Sequence, residues 1–112
     1  MKAEEKKLLN DILTSIESVD IHLQGKRDFS IYESNITMRR SVERGIEIIG
    51  EAMKNLLKTY PDVPITSKRK IVDLRNIVIH AYDSLDDQSI WSVVVKHLPV
   101  LKSEVETLLK QE

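Results

Sequence analysis

Arg75-Asn76-Ile77-Val78-Ile79-His80-Ala81-Tyr82 sets three polar side chains into a run that otherwise reads as buried helix. Arginine stays charged at any cellular pH, and histidine titrates closest to neutrality, so the pair suits stabilising an anion while a proton moves. Attack on a phosphodiester needs both. At ~100° per residue, the apolar positions Ile71, Val72, Leu74, Ile77, Val78, Ile79 and Ala81 cover roughly 220° of the helix, against the ~100° stripe of an ordinary surface helix. The excess predicts a second copy packed across this helix, and so a homodimer. Asp73, Asn76 and His80 share the narrow polar face, where Asn76, four residues before His80, is placed to orient the imidazole. Arg75 lies about 140° from His80. Within one helix the two heads meet only through a bend or the reach of the arginine, whereas a twofold axis would pool both pairs in one cleft.

Outward from this helix, which runs from about Lys68 to Ala81, the chain reads as helix throughout. Leu8, Leu9, Ile12, Ile16, Val19 and Leu23 recur at helical spacing from about Lys2 to Gln24, with Gly25 as the stop. Ile31, Met38, Val42, Ile46, Ile49, Met53, Leu56 and Leu57 mark a long second helix. Gly45 and Gly50 fall inside it, each costing about 1 kcal/mol relative to alanine unless close packing uses the missing side chain. Tyr60-Pro61-Asp62-Val63-Pro64-Ile65 must be a loop, after which Thr66 or Ser67 can cap the third helix. Asp83 to Asp87 forms a turn with an aspartate as cap. The fourth helix follows, with Ile90, Trp91, Val94, Val95, Leu98, Leu101, Val105, Leu108 and Leu109 on its apolar face, and Pro99 kinks or divides it. No stretch alternates with period two. An all-α antiparallel bundle of four to five helices, forming one domain over residues 1–112, is expected.

Composition bounds the rest. With 112 residues, 41% hydrophobic and 31% charged, the chain has material for one core and not for two. Without cysteine, neither disulfides nor thiolate metal sites are available, which fits a reducing cytosol. The charged start lacks the apolar run of a signal peptide, and no run approaches the roughly 20 residues that span a bilayer, so a cytoplasmic protein away from membranes is expected. A net charge of −1 supplies no global attraction for nucleic acid, so an RNA contact requires a local patch.

Arg39, Arg40 and Arg44, with Lys68, Arg69 and Lys70, are candidates for an RNA phosphate rim, although such clusters are more often a solvated face. Glu43, Glu47 and Glu51, four residues apart, suit ion pairs to Arg39, Arg40 or Arg75 better than metal binding, and no metal or cofactor is expected. A lone helix histidine is usually structural, and Arg75 and Tyr82 also admit roles in an ion pair and the core. His22 and His97 read as surface or packing residues. No phosphate-cradling glycine loop or Gly-x-Ser-x-Gly elbow is present.

Arg75, four residues, His80, one residue, then Tyr82 resembles the Arg-x4-His-x-Tyr signature of the HEPN superfamily, in its HepT-like branch. Ser41-Val42-Glu43-Arg44 followed by Glu47-Ile48-Ile49-Gly50-Glu51-Ala52 resembles the family's second-helix motif. Tyr60 to Pro64, Ile90-Trp91 and Leu98-Pro99-Val100-Leu101 match its proline loop, fourth-helix start and C-terminal kink. The similarity covers about Arg39 to Leu109; Leu74 and Ala81 depart from the common methionine and acidic residue at those places. The resemblance implies a HEPN-type helical dimer that acts as a toxin endoribonuclease of a type VII toxin-antitoxin system and cleaves RNA without metal. Arg75 and His80 would be catalytic and Asn76 and Tyr82 supporting. It also implies an MntA-like nucleotidyltransferase antitoxin that silences the toxin by transferring AMP to Tyr82. An alternative from the same residues is a non-catalytic dimer that presents substrate to such a nucleotidyltransferase, and a second is a purely structural dimer around a buried ion-pair network.

Overall fold

The computed structural model describes residues 1–80 and 87–111, without the side chains of Ile77, Ile79 and His80. Six helices follow in order: α1 (Ala3–His22), α2 (Phe29–Ser34), α3 (Ile36–Thr59), α4 (Lys68–His80), α5 (Asp87–Lys96) and α6 (Leu98–Lys110). Among the described residues there is no strand. The Asp83 to Asp86 turn and its cap, Ala81 and Tyr82 lie outside the described residues, as do the side chains of Ile77 and Ile79 that the wide apolar arc of α4 needs.

α1 buries Leu9, Ile12, Ile16 and Val19, one face at helical spacing, against α3 and α6. It stops where the sequence places the stop: Gln24 and Gly25 take positive φ values of 57° and 70°, and the Gly25 N–H returns to the Asp20 carbonyl at 3.3 Å. The expected long second helix is broken. Asn35 is extended (φ −112°, ψ 99°), and its side-chain oxygen accepts from the Met38 N–H at 3.0 Å, so the asparagine caps α3 instead of continuing α2. The six residues of α2 have their own cap in Asp28, which accepts from the Ser30 N–H at 2.9 Å.

α3 is the central element, packed by α1, α2 and α4. It buries Met38, Val42, Ile46, Ile49, Met53 and Leu56, while Ile71, Leu74 and Val78 of α4 complete that side of the core. The proline loop between α3 and α4 is anchored by burial of Val63 and Ile65 and by Lys68 Nζ, which donates to the Pro61 and Val63 carbonyls at 2.9 and 3.1 Å. Ser67 opens α4, its carbonyl accepting from the Ile71 N–H at 3.0 Å. Its hydroxyl meets His97 Nδ1 at 3.1 Å, and Thr66 bonds the Glu104 carboxylate of α6. Pro99 divides the last helical stretch: α5 ends before His97, and the proline sits in the first turn of α6, where its missing N–H has no intrahelical partner to lose. No helix among the described residues is long and apolar enough to cross a membrane.

Candidate active site

Gly50 decides where Arg75 lies. A Cβ built on Gly50 would meet Arg75 Cβ at 2.2 Å and Cγ at 2.8 Å, so α4 approaches α3 closely only because position 50 has no side chain. The apolar stem of Arg75 fills that notch and leaves the side chain 18% exposed. Its head is directed by two oxygens. Nη2 stands 2.5 Å from Oε2 of Glu51, the residue after the glycine, and Nη1 donates to Asn76 Oδ1 at 3.1 Å. The contact with Glu51 is one of charge: neither Glu51 Oε2 nor Arg75 Nε has an aligned hydrogen-bond partner. Arg75 is therefore held by packing and charge with a buried donor, Nε, still unspent.

His80 is the last residue of α4, five residues and about 7.5 Å of helix rise beyond Arg75. Asn76 places its side-chain oxygen on the arginine, and the imidazole it is expected to orient lies outside the described side chains. Two of the α3 glutamates meet partners expected from the sequence, Glu43 with Arg40 at 2.9 Å and Glu51 with Arg75, while Glu47 pairs with Arg44 at 3.2 Å. Glu43 is the buried member, only 4% exposed.

The basic rim is only partly assembled. Arg40 and Arg44 border an open groove of about 500 Å³ between α1 and α3, floored by Gly45 and Ile48. Arg44 and Ile48 also border its neighbour of about 620 Å³, which reaches Glu51, Asn55 and Arg75. The two grooves share Ser15, Arg44 and Ile48 and lie one after the other along α3, the second reaching Arg75. Arg39 goes elsewhere, to Asp87 and the Glu33 carbonyl, and Lys68 is spent on the proline loop. Arg69 and Lys70 are exposed. Among the described residues no three His, Asp or Glu side chains converge as a metal site requires.

Residues 12–108 match the family described as ribonuclease HepT-like. The chain belongs to the HepT-like ribonuclease family. The matched span holds the whole constellation, from the α3 glutamates through Gly50 and Arg75 to His80 and Tyr82. Its curated relatives include "Putative RNase MJ1380" of Methanocaldococcus jannaschii, 36% identical over 94% of this chain and 96% of that protein. "Probable ribonuclease HepT" of Thermococcus cleftensis is 32% identical over 98% of this chain and the whole of that protein. A longer M. jannaschii protein, "Gamma-glutamylcyclotransferase and putative RNase MJ0434", is 33% identical, with this chain spanning half of its length. No solved structure gives a significant match.

The seat of Arg75 is the functional feature least visible beforehand. Gly50 followed by Glu51 in a helix interior is its trace in the sequence, because a mid-helix glycine persists where a neighbour needs the space. The meeting of Arg39 with Asp87 has no such trace, since the two stand 48 positions apart.

Proposed function

We propose that the chain is a metal-independent endoribonuclease that works as a cytoplasmic homodimer, with Arg75 and His80 as its catalytic residues. The 2′-hydroxyl oxygen of the RNA attacks the adjacent phosphorus while the bond to the 5′-oxygen breaks. His80 takes the proton from the 2′-hydroxyl and passes it to the leaving 5′-oxygen, and the products are a 2′,3′-cyclic phosphate and a 5′-hydroxyl. General acid-base transfer of this kind contributes typically ~10²–10⁴-fold. Arg75 stabilises the added charge on the phosphorane-like transition state. Asn76 holds the guanidinium, and Tyr82 assists substrate binding. The observation that carries this reading is the seating of Arg75: a charged head aimed by Glu51 and Asn76 beside an open groove, about 1.4 turns before His80.

The family's toxin role supports a further part of the proposal. An MntA-like nucleotidyltransferase antitoxin would transfer AMP to the Tyr82 hydroxyl, and a bulky adenylate two residues from His80 would exclude an RNA phosphate by size and like charge. The groove rim at Arg40 and Arg44 is the proposed RNA path.

Purified protein is incubated with labelled RNA and the product ends are identified by mass spectrometry. Cleavage with cyclic-phosphate ends, lost in His80→Ala while the dimer persists, is expected; retained cleavage in His80→Ala removes the assignment. The close contact of Arg75 with Glu51 also favours a second, structural reading, in which the motif is an ion-pair network. On that reading Arg75→Ala lowers stability and the wild-type chain cuts no RNA.

A further inference from the structure

The sequence groups Arg39 with Arg40 and Arg44, yet its guanidinium joins three helices. Nη1 donates to the backbone carbonyl of Glu33 in α2, and Nε lies 3.7 Å from Oδ2 of Asp87, the first residue of α5. Arg39 itself belongs to the first turn of α3, where its N–H bonds the Asn35 carbonyl at 3.0 Å. Only 20% of its side chain is exposed, little for a residue meant to meet RNA. Beside this bridge α2 and α5 share an aromatic cluster: Tyr32 is fully buried, its ring 5.0 Å from that of Trp91 and 6.3 Å from that of Phe29.

The direction of α5 gives the bridge its meaning. A cleft of about 450 Å³ is bordered by Lys70 and Asp73 of α4 and by Ser92 and His97 of α5 and its end. The hydrogen bond of Ser67 with His97 puts the end of α5 beside the start of α4. Asp87, at the opposite end of α5, follows His80 by only seven residues in the chain, so it lies toward the end of α4 that carries His80. An acidic residue in the first turn of α5 also complements the helix dipole.

We propose that Arg39 is a positioning residue for His80: by holding Asp87 against α2 and α3, it fixes the end of the α4–α5 pair at which His80 stands. This rests on the assignment of His80 above. A single ion pair at 3.7 Å, outside ideal hydrogen-bond geometry, adds little to global stability. Its effect belongs to geometry, where a displacement on the order of 1 Å costs up to ~10²-fold in rate.

The test measures kcat and KM for RNA cleavage by the full chain as wild type, Arg39→Ala, Asp87→Ala, the double variant and Arg39→Lys. Trp91, the one tryptophan, reports on α5 by its fluorescence. Each alanine variant is expected to lower kcat about tenfold with KM within about twofold and to shift the Trp91 emission. The double variant falls no further, because both residues act through one bridge, and Arg39→Lys recovers part of the rate. A raised KM at unchanged kcat in Arg39→Ala, or losses that multiply in the double variant, overturns the proposal. A wild-type chain that cleaves no RNA removes the ribonuclease reading and the positioning role with it. Wild-type cleavage with an unaltered Arg39→Ala kcat overturns the positioning role alone.

Discussion

Gly45 and Gly50 stand five residues apart in α3, and both are notches that a neighbouring helix enters. A Cβ on Gly45 would meet Val19 Cγ2 of α1 at 2.6 Å; one on Gly50 would meet Arg75 Cβ of α4 at 2.2 Å. The first notch receives the tip of a core side chain, and the second receives the stem of a charged one. Both crossings set the spacing of helices, but only the second also sets the direction of a guanidinium. A glycine that looks like ordinary close packing therefore has a different consequence according to what its neighbour carries at the far end.

The largest expected effect breaks the comparison at its stronger side. In Gly50→Ala the clash is with an atom attached directly to the α4 backbone, so the helices must separate, and we expect a loss of about 3 kcal/mol or more. Cleavage per folded molecule should fall with it as Arg75 leaves its seat. In Gly45→Ala the overpacking cost of about 1–3 kcal/mol is offset by about 1 kcal/mol of helix propensity, with cleavage per folded molecule kept. Chemical denaturation together with cleavage corrected for the folded fraction separates the two. Equal activity losses at both glycines would dissolve the distinction.

Glu51→Gln sharpens the comparison without disturbing the notch. The carboxylate is 47% exposed, so stability should change by less than about 1 kcal/mol. The charge aiming Arg75 is gone, and kcat is expected to fall roughly 3–10-fold. A rise in kcat/KM would instead show that Glu51 competes with the RNA phosphate for the arginine.

The smallest effect is expected at the aromatic corner, a core site whose changes should move stability alone. Tyr32 buries its hydroxyl without a partner. Burial, and then the nearby Asp87 and Glu43 carboxylates, push its pKa well above the ordinary tyrosine range, with Arg39 opposing. The folded chain thus binds the phenolic proton more tightly than the unfolded one. This contribution is intact below the unfolded pKa of about 10 and is lost as pH rises past it. Tyr32→Phe should be about 1 kcal/mol more stable at neutral pH and should lose less stability in alkaline solution. Thermal melts at pH 7 and pH 10.5 read both, and a destabilised Tyr32→Phe at neutral pH would show that the hydroxyl has a partner.

The sequence by itself determined the helices whose burial follows a 3.6-residue period, the proline loop and the division at Pro99, because these depend on local sterics and hydrophobic spacing. It also displayed the Arg-x4-His-x-Tyr spacing and pointed to Glu43 and Glu51 as ion-pair partners of Arg40 and Arg75. The break at Asn35 escaped it, since the apolar period continues across that residue while the side-chain cap competes silently with the helix. Only the tertiary structure decided that Arg75 rests on Gly50 and faces Glu51, that the Asn76 oxygen meets the guanidinium, and that Arg39 leaves its basic neighbours for Asp87. Those choices depend on which helices approach closely and at what rotation, and such distances are set by packing between elements far apart in the chain.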